Sequence, residues 1–217
     1  MFSLSRIGVF GGTFDPVHLG HLHVAKEVLK ALFLDKIVFV PTNTQPYKAG
    51  TNCACPLDRY NMLCLAVQDE KKFLVSKVDI IRGGITYTVD TLKDIKKIYP
   101  KDELFFIVGM DCANEIKRWK NYDELIGMAK FVAVTRPSIK PLFNSSSCKR
   151  QVNIEKDMLN CKRIDNVSNE IIILNIPNMD ISSTKCRNAV KSGNYISDMV
   201  PFNVEKYIIE HNLYGTE

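Results

Sequence analysis

The sequence predicts an α/β protein: a Rossmann-like, doubly wound parallel sheet with helices on both faces and a short C-terminal helical region. Three observations predict it. Short apolar runs alternate with segments of helical periodicity, the signature of a parallel sheet wrapped by helices. Polar clusters fall just after such runs, at Thr13 to His21, Thr42 to Lys48, Gly109 to Asp111, Arg136 and Ser182 to Arg187. In open parallel sheets ligands bind at the carboxyl ends of strands near a topological switch point, so these clusters are expected to share one sheet edge. The first of them, G-G-T-F-D-P-V-H-L-G-H from Gly11 to His21, is a glycine-rich turn that opens a helix.

The elements follow in order. Ile7 to Phe10 is the first strand. The helix after it carries Leu22, Ala25, Val28, Leu29, Leu32 and Phe33 on one face of a 3.6-residue period. Ile37 to Val40 reads as the second strand, ended by Pro41, and Thr42 to Pro56 as a polar, Pro-punctuated loop of the length often given to function. A helix from about Leu57 leads to a strand near Phe73 to Val78, and Gly83-Gly84 turns the chain before a helix from Val89 to Tyr99. Leu104 to Val108, Phe131 to Val134 and Ile171 to Leu174 are the remaining strands. A helix follows Ile181-Ser182-Ser183-Thr184, and another runs from about Asn203 to His211 after Pro201. No internal repeat or low-complexity tract interrupts this order.

At 217 residues the chain is read as a single domain, 1–217, with the polar stretch 138–169 a partly mobile elaboration. Hydrophobic residues make up 46% and charged residues 24%, the balance of an ordinary globular protein. A net charge of +5 without a Lys/Arg block suits anionic small molecules and argues against a nucleic-acid partner. The seven cysteines are scattered, and no second Cys/His pair at zinc spacing joins Cys53 and Cys55. Reduced thiols are the expectation. With no signal-peptide pattern and no apolar run of membrane-spanning length, the expected location is the cytoplasm, with no membrane partner. Whether the chain forms a homo-oligomer is left open.

The turn from Gly11 to His21 is a natural anion site. Backbone N–H groups and the positive end of a helix dipole converge there, and His18 and His21 can donate to phosphate oxygens whether neutral or charged. Neither G-x-x-x-x-G-K-[ST] nor G-x-G-x-x-G is present. The bland alternative is a tight strand–helix turn with two incidental histidines, or an i,i+3 metal pair. The compact set of two glycines, a threonine, a proline and two histidines at a helix start favours phosphate. Ser182, Ser183 and Thr184 likewise read as an N-cap with Arg187 about one turn further on, a second phosphate site built with the same geometry as capping. Spacing alone leaves Trp119, the only tryptophan, open between a core side chain and an exposed ring among Lys117, Arg118 and Lys120. Lys48 and Arg136 are candidate partners for a phosphate or carboxylate, against the ordinary reading of loop cations as solvated.

G-G-T-F-D-P-V-H-L-G-H resembles the [T/H]-x-G-H signature of the nucleotidylyltransferase superfamily, in its nicotinate mononucleotide adenylyltransferase form. Arg59 and Met62 resemble that family's R-x-x-M helix, and Thr86 to Leu92 its [ST]-Y-T-x-D-T-L segment. Phe106 to Asp111 with Trp119 resembles its G-x-D and downstream W, and Ile181 to Arg187 its I-S-S-T-x-x-R segment. The resemblance runs in order through nearly the whole chain and is weakest over 138–169. Asp79 stands where the family often has Glu, a mild departure away from the chemistry.

The resemblance implies adenylyl transfer from ATP to nicotinate mononucleotide, giving nicotinate adenine dinucleotide and pyrophosphate in NAD biosynthesis. No covalent enzyme intermediate is implied, so catalysis consists of positioning two polyanions and stabilising transition-state charge. It implies that His18, His21 and Arg187 are catalytic, with His21 the more critical. Gly11, Gly12, Thr13, Phe14, Gly109, Asp111, Ile181, Ser182, Ser183 and Thr184 would join them in binding ATP. Trp119 would stack on the pyridine ring, with Thr86, Tyr87 and Thr88 around its carboxylate or amide and Thr13, Lys48 and Arg136 completing the mononucleotide site. The Thr86 segment resembles the acid-preferring enzymes. Mg²⁺ is expected to arrive on the ATP phosphates, and no carboxylate cluster suggests a protein-built metal cage.

Three alternatives compete. A nicotinamide mononucleotide or phosphopantetheine adenylyltransferase would share the histidine turn, but the phosphopantetheine enzyme is not expected to carry Thr86 to Leu92 with Trp119. A non-catalytic nucleotide sensor or RNA-binding relative would not need every phosphate residue intact. The H-x-G-H echo of aminoacyl-tRNA synthetases lacks an accompanying anticodon-binding or strongly basic module.

Overall fold

The computed structural model describes residues 4–44, 54–135, 150–153, 171–177 and 179–215. Its strands are β1 (Arg6–Gly12), β2 (Lys36–Pro41), β3 (Phe73–Val75), β4 (Glu103–Gly109), β5 (Lys130–Thr135), β6 (Arg150–Asn153) and β7 (Ile171–Asn175). They form a seven-stranded sheet in the order β3-β2-β1-β4-β5-β7-β6. The run 3-2-1-4-5 is the doubly wound order, whose strand sequence reverses direction between β1 and β4. The pairs β1–β4, β4–β5, β5–β7 and β6–β7 are parallel. The expected fold class is therefore the observed one. None of the described helices is long and apolar enough to cross a membrane.

Two compact units make up the chain: Met1–Gly11, Val24–Val38 and Tyr87–Asn178 in one, and Gly12–His23, Phe39–Thr86 and Met179–Glu217 in the other. The first holds most of the sheet. Phe10 lies opposite Ile107, and Val108 opposite Ala133, so Gly11 and Gly109 lie at the same carboxyl end of the sheet. Phe105, Phe106 and Ile107 are all buried although successive side chains point to opposite faces. Strands covered on both faces need apolar residues at every position, and that is why they read as continuous apolar runs in the sequence. Helix α4 (Thr88–Ile98) buries Val89, Leu92 and Ile95 on one stripe, one residue out of register with the expected span.

The second unit is tied together by helices. Within it α2 (Pro56–Val67) opens on Cys55, whose Sγ accepts the Asp58 N–H at 3.4 Å, with proline in the first turn. The C-terminal helix α8 (Phe202–Glu210) packs on α2. There the Tyr207 hydroxyl donates to Asp58 Oδ1 at 2.9 Å and accepts from Asn61 Nδ2 at 3.0 Å.

Several expectations need correction. Helix α1 (Leu19–Ala31) ends before Phe33, which takes φ 48° and is 54% exposed, so Phe33 is no part of the buried stripe. β3 stops at Val75, and Val78 instead opens the short helix α3 (Val78–Arg82). Asp79 is buried there with Oδ1 2.6 Å from Arg82 Nη2. Three further short pieces carry no readable period: α5 (Met110–Asn114), the 3₁₀ turn Ile116–Arg118 and α6 (Tyr122–Ile126). The stretch 138–169, expected to be a partly mobile elaboration, contains β6 at 150–153 and otherwise lies outside the described residues. An outermost strand pairs through its main chain on one side only, so it can form without the apolar run that marks a central strand.

Candidate active site

In the second unit the turn after β1 carries the two histidines into the first turn of α1. Phe14 adopts φ 51°, is buried, and sets its ring edge-on against Phe39 at 5.8 Å and against His21 at 5.0 Å. The Phe14 side chain is thus a floor for His21. The His18 ring, also buried, stacks on His21 with centroids 3.6 Å apart. The His18 backbone N–H donates to His21 Nδ1 at 3.2 Å. That contact fixes the tautomer: a neutral His21 whose Nδ1 accepts must carry its proton on Nε2, presenting a donor on the far side of the ring. Gly20 gives the His18 ring room, since a Cβ there would sit 3.0 Å from Nδ1 and 3.1 Å from Cε1 and push the ring by a few tenths of an ångström.

Helix α7 (Ser183–Lys191) faces this turn within the same unit. Ser182 is its N-cap, with Oγ accepting the Lys185 N–H at 3.2 Å. The first amides of a helix have no carbonyl partner inside it, so Ser183 and Thr184 present N–H groups at the positive end of the dipole. The Ser183 hydroxyl donates to the Pro16 carbonyl at 2.9 Å. It ties helix to turn, a role that sequence reasoning did not assign. Arg187 Nη1 donates to the Asp15 carbonyl at 2.6 Å, and Nη2 to Thr184 Oγ1 at 3.3 Å. Two of the five guanidinium donors are thereby committed to placement, and the side chain is 29% exposed. In the same helix, burial pushes the Cys186 thiol up to about 11, which keeps it protonated.

Two buried charges that the sequence did not single out as site residues hold this turn. Asp15, 4% exposed, accepts the Ala54 N–H at 3.0 Å and the Tyr214 hydroxyl at 2.7 Å, both on Oδ1. Arg59, 2% exposed, donates to three carbonyls: Thr13 at 2.7 Å, Asn43 at 2.9 Å and Ala54 at 3.1 Å. Thr86, buried, accepts the Asn43 N–H on its hydroxyl at 3.0 Å, while Asn43 Nδ2 reaches the Gly84 carbonyl at 2.9 Å. The segment 42–44 is thus held to the Gly83-Gly84 turn, where both glycines take positive φ.

The first unit carries the other expected residues. Gly109 ends β4 and precedes α5, and a Cβ there would meet Asp111 Oδ1 at 2.5 Å, so any other residue displaces that carboxylate. Trp119 is half-buried, with its ring edge-on to Phe106 at 6.3 Å. Lys120 Nζ lies 4.4 Å from the Tyr87 ring centroid and 3.1 Å from Asp90 Oδ2, which places the Trp119 segment beside the start of α4. Tyr87 is the N-cap residue of α4 and Thr88 its first helical residue. Lys48 and Arg136 fall outside the described residues.

A doubly wound sheet whose first strand feeds a helix N-terminus lined by imidazoles, with a second helix N-terminus and a guanidinium against it, has the build of a nucleotide-phosphate-binding α/β protein. The Cytidylyltransferase-like family model matches residues 9–189, and the chain belongs to that family. It is 38% identical over 206 residues to a Clostridium kluyveri protein named "Probable nicotinate-nucleotide adenylyltransferase", covering 95% of this chain and 97% of that one. A Dehalococcoides mccartyi protein of the same name is 40% identical over 210 residues, covering 96% and 97%. Among solved structures, Plasmodium falciparum nicotinic acid mononucleotide adenylyltransferase complexed with NaAD superposes with a TM-score of 0.70. It is 21% identical and covers 97% of each chain, a likeness of fold.

Proposed function

We propose that this protein transfers the adenylyl group of ATP to nicotinate mononucleotide, forming nicotinate adenine dinucleotide and pyrophosphate in NAD biosynthesis. A phosphate oxygen of the mononucleotide attacks the α-phosphorus of ATP in line, and the bond to the bridging oxygen of pyrophosphate breaks. The observation that carries this reading is the pairing of the His18–His21 turn with Arg187 and the first amides of α7 in one unit. His21 Nε2–H, His18 and the Arg187 guanidinium hold the ATP phosphates. They neutralise the charge that grows on the leaving pyrophosphate, a task for fixed donors rather than for a nucleophile. The amides of Gly11, Gly12, Thr13, Phe14 and Ile181 to Thr184 border the nucleotide, and Gly109 with Asp111 takes its ribose hydroxyls. Trp119 stacks on the pyridine ring, Thr86, Tyr87 and Thr88 surround its carboxylate, and Thr13, Lys48 and Arg136 complete the mononucleotide site, the two cations as partners of a phosphate or carboxylate.

ATP enters with Mg²⁺ on its phosphates as part of the substrate. Among the described residues no group of three or more His, Cys, Asp or Glu is placed to hold an ion. The chain works as a single domain in the cytoplasm, where thiols such as Cys55, Cys64 and Cys186 stay reduced.

Two measurements test the mononucleotide site. Trp119→Ala is expected to raise KM for the mononucleotide about tenfold or more, since stacking a base on an aromatic ring is worth about 1–3 kcal/mol. KM for ATP should hold within twofold; equal losses for both substrates, or none, count against stacking. The ratio of kcat/KM for nicotinate mononucleotide over the nicotinamide form is expected to exceed one. A preference for the amide would reverse the assignment of the Thr86 segment.

A further inference from the structure

We propose that Tyr214 is a positioning residue for the reaction: through Asp15 its hydroxyl sets where the Arg187 guanidinium stands. The inference rests on the reading above that Arg187 holds ATP phosphates. Asp15 lies in the turn between β1 and the histidines, and its carboxylate is buried beside a cation. Oδ1 takes two donors, the Tyr214 hydroxyl at 2.7 Å and the Ala54 N–H at 3.0 Å. Oδ2 stands 3.6 Å from Arg187 Nη1, beyond a good hydrogen bond, while the same nitrogen is 2.6 Å from the Asp15 carbonyl. Arg187 is therefore held by a carbonyl and only approached by the carboxylate.

An aspartate and an arginine this close would ordinarily close into a two-pronged pair, the strongest arrangement open to them. Such a pair would turn guanidinium donors toward Asp15 and away from a phosphate. With Oδ1 anchored by Tyr214 and Ala54, the carboxylate cannot rotate to offer both oxygens. The backbone leading to Tyr214 supports a dedicated role. After α8 the chain passes through left-handed conformations at Asn212 (φ 49°) and Tyr214 (φ 64°). That conformation is unfavourable for a bulky aromatic residue and persists only where surrounding contacts impose it. Here it brings a phenol from 199 positions along the chain onto Asp15.

The test is a double-mutant cycle on the full chain, with Tyr214→Phe, Arg187→Ala and the combination. Dissociation constants for the probe α,β-methylene-ATP with Mg²⁺ are read beside KM for each substrate and the thermal midpoint. Tyr214→Phe should weaken the analogue about tenfold, the size of one hydrogen bond to a charged group. KM for the mononucleotide should stay within twofold and the midpoint within a few degrees. In the Arg187→Ala background the same change should add less than twofold. Unaltered analogue binding by Tyr214→Phe, or the same loss in both backgrounds, would overturn the proposal. Arg187→Ala binding the analogue as well as the unsubstituted chain would instead overturn the phosphate role of Arg187, a separate result.

Discussion

His21→Ala is expected to lower kcat by about a hundred- to a thousand-fold, the loss found when one fixed donor to a developing anion is removed. The imidazole is placed from three sides. Phe14 lies edge-on to it, His18 stacks on it, and the His18 N–H occupies Nδ1. With Nδ1 engaged as an acceptor, the donor of the neutral ring must be Nε2, on a ring held in one orientation. Alanine removes that donor and one partly buried hydrogen bond, worth about 1 kcal/mol of stability. The fold should therefore survive, with cooperative unfolding a few degrees below that of the unsubstituted chain. Single-turnover rates with ATP and mononucleotide measure the chemical step directly. Near-normal rates would remove His21 from the mechanism and leave Arg187 with α7 as the phosphate site.

Arg59→Met is expected to act on the fold instead, lowering stability by about 3–5 kcal/mol. Arg59 is 2% exposed and donates to the carbonyls of Thr13, Asn43 and Ala54. Methionine fills much of the same volume but offers no donor, so three carbonyls lose their partner in a place water reaches poorly. Those carbonyls belong to the histidine turn, the segment after β2 and the N-terminal approach to α2. Turnover should fall with the folded fraction and also below it, because the turn loses its anchor. The urea midpoint, with the slope held fixed, measures the stability part. A loss under about 1 kcal/mol would show that the turn stands without Arg59.

Arg59 and Asp15 also show where sequence reading reaches and where it ends. The central strands were legible because strands buried on both faces must be apolar at every position, as at Leu104 to Val108 and Phe131 to Val134. The histidine turn was legible because its chemistry is local: glycines, imidazoles and a helix start lie within eleven residues. The cap of α7 was legible for the same reason, a hydroxyl three residues from the amide it accepts. What holds these pieces is not local. Asp15 is bonded to Ala54, Arg187 and Tyr214, at separations of 39, 172 and 199 positions, and no periodicity records such pairings. Asp15 stood in plain view inside the motif without a role, and Arg59 was only one letter of a resembling helix. Ser183 shows the converse, since its hydroxyl read as a phosphate donor and is engaged with Pro16. The short helices α3, α5 and α6 span five residues each, too few for an apolar stripe to repeat.

In the proposed reaction the histidine turn and α7 hold ATP, and the Trp119 and Thr86 segments choose the acceptor. Pyrophosphate release from ATP by the purified protein tests that directly, with nicotinate mononucleotide, nicotinamide mononucleotide and phosphopantetheine offered separately as acceptors. Release is expected with nicotinate mononucleotide in step with formation of nicotinate adenine dinucleotide, more slowly with the amide, and not with phosphopantetheine. Release with phosphopantetheine alone, or with no acceptor of the three, would contradict it.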